Sequence, residues 1–206
     1  MNNVKKYSVY IKGVTPLIMH NDTLCDPLLP ISKQMKEITC IRKKTDEHHL
    51  AMARIEFEAA LYYNENLGVY MPSKCLLGCI KAAAKKYKKG KQTKAVILDE
   101  ALGYPLIPYK GKNPQSLYDE ESQGAKIYVH RESIVVNMSK VMRTRPIFHR
   151  WEVKFGFLLD TELLPERDMQ MILDTAGYEY GLCELRPGLA TGNYGTFRVE
   201  EFKRLT

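Results

Sequence analysis

One segment, Trp151–Leu159, constrains the fold more than any other because it alternates apolar and polar residues along its whole length. The apolar positions are 151, 153, 155, 157 and 159. Side chains of a β-strand point alternately to the two faces of a sheet, so this pattern predicts a strand with one buried face. We also predict strands at Tyr7–Val14, Val69–Met71, Ile127–Val136 and Thr196–Phe202.

Three further segments have the apolar periodicity of amphipathic helices. They are Glu47–Tyr63, Lys74–Tyr87 and a segment that Pro165 opens and that runs to Tyr180. Ser73 stands before the second helix and is of a residue type that caps helix N-termini. Residues 91–124 contain scattered glycines and prolines and predict an irregular excursion.

With residues 17–68 set aside, the predicted order is strand, helix, strand, strand, helix, strand, with Ile127–Val136 as the second strand. This is the split βαβ arrangement. We therefore predict an α+β fold, a modified ferredoxin-like (RRM-like) βαββαβ domain. Residues 1–206 would form a single domain, in which 17–68 is a large helical subdomain inserted after the first strand.

Composition points to a basic protein with a real core. The chain has 206 residues, 45% of them hydrophobic, and a net charge of +7. A basic excess favours polyanionic partners such as nucleic acid. The chain lacks an apolar run of about 18 residues, so we expect no membrane span. Five cysteines without a CxxC pair, and no apolar leader, predict reduced, mostly buried thiols in a cytoplasmic protein without metal or cofactor.

The segment Lys81–Lys94 has the highest density of positive charge, with seven lysines and no acidic residue. Lys81, Lys85 and Lys88 fall on one helical face, and Lys86 and Lys89 extend it. Such a patch suits contacts with phosphates. The alternative is a solvated helix end, where cations interact favourably with the helix dipole.

A second basic cluster, Ser139–Arg150, lies between two predicted strands. It contains Lys140, Arg143, Arg145 and Arg150. Guanidinium groups match phosphate oxygens and also stack on bases. We therefore predict an arginine-rich binding loop, with a solvated β-hairpin as the alternative. A less specific basic set lies within 33–44.

The third candidate element is the glycine-rich stretch Gly177–Val199. It has five glycines and carries Arg186 and Tyr194. Glycine lets backbones approach closely, so a loop of this composition can wrap a phosphate-bearing chain. The alternative is a floppy surface turn.

Catalytic candidates are few. His20, Asp22 and Asp26 share one loop, where a histidine and two carboxylates could perform acid–base chemistry. They are weak candidates, since no local motif fixes any of the three.

Three segments together resemble the RAMP superfamily of CRISPR-associated proteins. Ile11–Leu17 resembles the first strand and its exit. Tyr70–Lys81 is similar to the segment that opens the first helix, although it lacks the family's glycine after proline. Gly181–Phe197 is similar to the C-terminal glycine-rich loop, with Cys183 where glycine is usual. The resemblance implies a subunit of the kind that polymerises along guide RNA, or a stand-alone relative from a phage or mobile element.

We expect a protein that binds single-stranded RNA or DNA along its backbone, independently of sequence, and that assembles as repeated subunits. The groove would be lined by the helix at 74–89, by 140–150 and by the glycine-rich loop. Its contacts would be Lys74, Lys81, Lys85, Lys88, Lys89, Lys140, Arg143, Arg145, Arg150, Arg186 and Tyr194.

Two alternatives stay open. The first is a RAMP-type endoribonuclease, which the resemblance also implies, in which His20 with Asp22 or Asp26, in the loop after the first strand, cuts RNA. The second alternative is a scaffold protein whose basic faces bind acidic protein partners.

Overall fold

The computed structural model describes residues 3–136, 138–189 and 192–205. These residues contain five α-helices: α1 Pro30–Thr39, α2 Asp46–Ala60, α3 Ser73–Lys86, α4 Pro114–Asp119 and α5 Glu166–Thr175. The strands are β1 Val4–Gly13, β2 Leu17–Ile18, β3 Tyr63–Asn64, β4 Gly68–Pro72, β5 Val96–Leu98, β6 Gly103–Pro105, β7 Glu121–Ser122, β8 Ala125–Lys126, β9 Val129–Val136, β10 Ser139–Phe148, β11 Glu152–Asp160 and β12 Phe197–Leu205. The predicted α+β class is confirmed.

The chain divides into two compact units. Unit 1 consists of Met1–Leu17, Asn64–Gly111 and His149–Thr206, and unit 2 of Ile18–Tyr63 and Lys112–Phe148. The first segment of unit 2 lies within 17–68. The assignment of 17–68 as an insertion into a single domain stays a prediction.

The main sheet of unit 1 has the strand order β12–β1–β11–β5, and all of its neighbouring strands are antiparallel. Tyr7 lies opposite Phe157, and Val9 lies opposite Phe155. These four side chains are buried, as are the other odd-numbered positions from 151 to 159. The apolar residues whose alternation predicted β11 therefore lie on the face of the sheet that is buried in the core.

Aromatic rings and two helices fill this core. Tyr7 stacks against Phe157 and Phe202, with ring centroids 5.6 and 5.2 Å apart. Helices α3 and α5 contact each other. They bury Leu76, Ile80, Ala83, Met169, Ile172 and Leu173. Apolar burial on this scale is the main stabilising contribution to such a layer.

The edge strand of the main sheet differs from the prediction. Placing Ile127–Val136 in this sheet was wrong, because β9 belongs to a separate sheet of order β2–β10–β9. The edge position is taken by β5, with Ile97 opposite Leu158. Three residues are too few to show a periodicity, so β5 was hidden within the segment predicted to be irregular.

The helix predictions need three smaller corrections. Helix α1, with Pro30 in its first turn, lies where only a mixed basic segment was predicted. Ser73 is the first residue of α3 rather than its cap, and its hydroxyl donates to the carbonyl of Glu100 at 2.5 Å. Helix α5 ends at Thr175, and a π-helical turn, Ala176–Tyr180, continues it.

In unit 2, helix α2 packs on the long hairpin of β9 and β10. Phe57 of α2 meets Tyr118 of α4 edge-on at 5.2 Å. Within the described ranges, each helix is too short or too polar to cross a membrane.

Candidate functional site

Helix α3 presents a basic stripe to solvent. Its buried side is formed by Leu76, Cys79, Ile80, Ala83 and Ala84. Because a helix repeats every 3.6 residues, the opposite side carries Lys74, Leu77, Gly78, Lys81 and Lys85, all of them exposed. Lys88, just beyond the helix end, is also exposed. Lys81 and Lys85 therefore share the solvent face of α3, whereas Lys88, predicted to lie on the same helical face, follows the end of the helix.

The end of α3 folds back and forms a groove. The amide of Lys89 donates to the carbonyl of Ala84 at 2.9 Å, and Lys88 takes the left-handed conformation with φ of 58°. Such bonds satisfy carbonyls at a helix C-terminus and reverse the chain. The hydroxyl of Thr93 then donates to the carbonyl of Gly90 at 2.7 Å. This turn brings residues 90–94 alongside the helix.

Five lysines surround this groove, which has a volume of about 560 Å³. Its lining residues are Lys81, Lys85, Lys88, Gly90, Lys91, Thr93 and Lys94. Within residues 3–136, 138–189 and 192–205, none of the five lysines forms an ion pair. We call this feature the lysine groove. Like charges held around a concave surface focus a positive field that attracts polyanions.

Other lysines of the same segment are neutralised by acids that the sequence places far away. Lys86 pairs with Glu179, and Lys89 pairs with Asp168. The segment itself contains no acid, yet two of its seven lysines have carboxylate partners in space. Lys89 therefore has a structural contact, and its predicted role in binding stays a prediction. The uncompensated charge lies on the groove side of α3.

The arginine cluster is not a loop. Residues 139–148 form strand β10, which pairs with β9, so the predicted loop was wrong and the hairpin alternative is correct. Alternation along a strand turns Thr144 into the core of unit 2 while its neighbours stay partly accessible. Arg143 and Arg145 are therefore held in a paired strand, whereas Arg150 lies beyond it.

Arg143 holds a buried carboxylate in place. Its Nη1 donates to Glu56 Oε1 at 2.7 Å, and the amide of Thr144 donates to Glu56 Oε2 at 2.8 Å. The Glu56 side chain is only 6% exposed. A buried charge requires such partners, so Arg143 stabilises unit 2 whatever else it binds.

The other arginines of the cluster lie in different surroundings. Arg145 donates to the carbonyl of Thr144, and its Nη2 lies 3.3 Å from Nε2 of His20. Lys140 is exposed on the hairpin. Arg150 is exposed in unit 1, and its carbonyl accepts a hydrogen bond from the Tyr109 hydroxyl at 2.6 Å.

The described part of the glycine-rich loop is fastened by backbone hydrogen bonds rather than floppy. Leu182 donates to Gly195, Tyr194 donates to Leu185, and Gly195 donates to Pro16, at 2.8 to 3.1 Å. Gly195 has φ of 69°, and a Cβ there would lie 2.0 Å from the carbonyl of Leu182, so only glycine fits. The loop is a defined element that presents its side chains in fixed places.

Two residues of this loop have informative contacts. Cys183, where the resembling family has glycine, adopts φ of 63°, a conformation that favours glycine. Arg186 donates from Nη1 to the carbonyl of Cys183 at 2.7 Å. This bond anchors the Arg186 side chain against the backbone of its own loop. Tyr194, in the same loop, is half-buried.

The three catalytic candidates lie together in unit 2 and are all exposed. The carboxylate of Asp26 accepts from the amide of Leu28 at 2.9 Å, a local turn before α1. The carbonyl of His20 accepts from the hydroxyl of Tyr62 at 2.9 Å. An exposed loop of this kind does not exclude water, and exclusion of water is what strengthens electrostatic interactions at a catalytic site.

The cysteines differ in accessibility, which corrects the expectation that most are buried. Cys79 and Cys183 are buried, Cys75 is intermediate, and Cys25 and Cys40 are exposed. Burial raises the pKa of Cys79 to about 12. The neighbouring Cys75 side chain and burial raise the pKa of Cys183.

We expect iodoacetamide to label Cys25 and Cys40 long before Cys79 and Cys183. The thiolate is the nucleophile, and at about pH 8 a buried thiol of raised pKa stays protonated. Mass spectrometry of labelled peptides checks this, with urea-unfolded protein as the control in which all five react. Equal labelling of Cys79 and Cys40 in the folded protein would contradict the described packing.

Two comparisons with known proteins, with family models and with curated proteins, found no match.

Proposed function

We propose that the chain binds single-stranded nucleic acid through the phosphate backbone, largely independently of base sequence. The single observation that carries the proposal is the lysine groove, in which five lysines surround one concavity. Lysines elsewhere in the same segment are paired with carboxylates, so the groove concentrates the positive charge that remains. Phosphate neutralisation by such groups supplies affinity without regard to sequence.

We further propose that unit 1 is a modified ferredoxin-like domain. Support comes from the antiparallel order β12–β1–β11–β5, with α3 between β1 and β5 in the chain and α5 between β11 and β12. This is the order expected of a βαββαβ unit whose edge strand is β5. RRM-type domains of this class bind single strands, which is a further reason to choose a nucleic acid over an acidic protein.

The resemblance to RAMP proteins supports the same partner. The resembling segment Tyr70–Lys81 spans the end of β4 and the first nine of the 14 residues of α3, and its last residue lines the lysine groove. The matched loop Gly181–Phe197 contains the constrained Gly195. Assembly of repeated subunits along the strand is part of this proposal and rests on the resemblance alone.

The proposal is tested by measuring affinity for a labelled homopolymeric single strand as salt is raised from about 50 to 200 mM. If all five groove lysines contact phosphates, log K should fall against log salt with a slope of about −3.5, since each contact contributes about −0.7. Poly-glutamate, which is a polyanion like the nucleic acid, serves as the competitor. Affinity that does not change over this range, or full displacement by poly-glutamate, would refute the proposal.

A further inference from the structure

A second concavity of unit 1 differs in character from the lysine groove. It has a volume of about 440 Å³ and lies beside the glycine-rich loop. Its apolar lining residues are Val14, Pro187 and Phe197, and its polar ones are Thr15, Asn193, Thr196 and Tyr178. None of these side chains carries a charge at neutral pH. The size is within the range of small-molecule pockets, and the lining suits an uncharged ligand with a polar edge.

Tyr178 presents an aromatic ring at this pocket. It is 81% exposed, although it belongs to the π-helical turn 176–180 that packs in unit 1. The preceding Gly177 lets this turn approach β12 closely, because a Cβ there would lie 2.2 Å from the carbonyl of Phe197. Single π-helical turns occur frequently at functional sites. The backbone therefore fixes the Cα of Tyr178 beside the pocket, and its ring is left largely to solvent.

Polar groups at the pocket can form hydrogen bonds with the polar edge of a ligand. The hydroxyl of Thr15 accepts from the amide of Thr196 at 3.0 Å and lies 2.9 Å from the Thr196 hydroxyl. Two hydroxyls that share one hydrogen bond retain one proton to donate elsewhere. Asn193 is exposed, and its amide has no hydrogen bond to any other described residue. An amide offers a donor and an acceptor side by side, as the edge of a base does.

The pocket is also close to the basic helix. Glu179, the residue after Tyr178, pairs with Lys86 of α3. The Cys79 thiol also donates to the carbonyls of Ala176 and Gly181, so the π-helical turn packs on α3. Base stacking on an aromatic side chain is the usual complement to phosphate contacts in proteins that bind single strands.

We propose that this pocket holds one nucleobase, stacked on Tyr178 and hydrogen-bonded by Asn193 and the Thr15–Thr196 pair. This inference rests on the proposed function, because it assigns the bases of the same ligand to a place separate from its phosphates. The lining has an aromatic ring and an amide but no cation, so it suits a base better than a phosphate.

The test uses a short oligonucleotide with a single 2-aminopurine, whose fluorescence is quenched by stacking. We expect wild-type protein to quench the signal. Tyr178→Ala should abolish the quenching and weaken binding about tenfold, within the range for loss of one stacked base. Tyr178→Phe should retain both properties, because the ring remains. Tyr178 is mostly exposed, so neither change disturbs the core.

The outcomes separate this inference from the proposed function. If the oligonucleotide binds but Tyr178→Ala quenches as the wild type does, the pocket assignment is wrong and the backbone-binding function stands. If no oligonucleotide binds, the proposed function fails. Titration with free adenosine, followed by NMR of the tyrosine rings, then decides the pocket alone: shifts of the Tyr178 ring support it, and their absence overturns it.

Discussion

Replacing Lys81, Lys85 and Lys88 together with glutamate is expected to lower the affinity for a single strand at least about 100-fold near 0.1 M salt. Each lost phosphate contact forfeits the release of counterions, and each new carboxylate repels the strand. The salt slope should become shallower by about 2 units, since each contact contributes about 0.7. Fluorescence anisotropy at several salt concentrations measures both quantities. All three side chains are exposed, so the fold should persist.

The matched control makes an equal change of charge at lysines that do not line the groove. Lys33, Lys43 and Lys110 are exposed, and in the part of the chain that is described they form no ion pair. Their triple replacement with glutamate lowers the net charge by the same amount. We expect a weak loss of affinity and an almost unchanged salt slope. If both triple variants lose affinity to the same degree, net charge alone binds the strand and the lysine groove has no special role.

Replacing Arg143 with methionine is expected to destabilise unit 2 by about 3 kcal/mol. The change leaves the carboxylate of Glu56, only 6% exposed, without its guanidinium. The value is at the lower end for a broken buried ion pair because Arg143 itself is 35% exposed, and because the amide of Thr144 still donates to the carboxylate. Urea unfolding, together with hydrogen exchange of the β10 amides, measures the loss.

Two further variants identify the cause. Lys140→Met alters an exposed residue of the same strand and should change stability by no more than about 0.5 kcal/mol. Adding Glu56→Gln to Arg143→Met should recover part of the loss, because a neutral amide costs less to bury than a carboxylate. If Arg143→Met is as mild as Lys140→Met, the Glu56 contact does not stabilise unit 2.

The sequence predicted those elements whose signal is local. Strand β11 shows five alternating apolar positions, and the core helices show a buried stripe, so both were found within a few residues. Strand β5 has only three residues and exists because Ile97 finds a partner on β11. Helix α1 was missed because Pro30 was assigned to the loop before it and the basic residues after it were taken as a mixed pattern; of its residues only Ser32 is buried.

The candidate site was predictable only in part, because some of its contacts join residues that are distant in the sequence. That Lys81 and Lys85 share a face follows from helical geometry, but the contribution of Lys88, Lys91 and Lys94 depends on how the chain reverses after the helix. The carboxylates that neutralise Lys86 and Lys89 come from Glu179 and Asp168, far along the chain. Long-range pairing of this kind leaves no trace in a local pattern.

The pairing of β1 with β12 has a consequence for how the protein is made. The central strand of the main sheet begins at Val4, and its neighbour β12 ends at Leu205. Contacts between such distant residues form late, and β1 keeps an unpaired edge until the last strand has left the ribosome. Until β12 is made, this edge of β1 is open to pairing with other chains, so we expect the incomplete chain to aggregate more readily than one built from local hairpins.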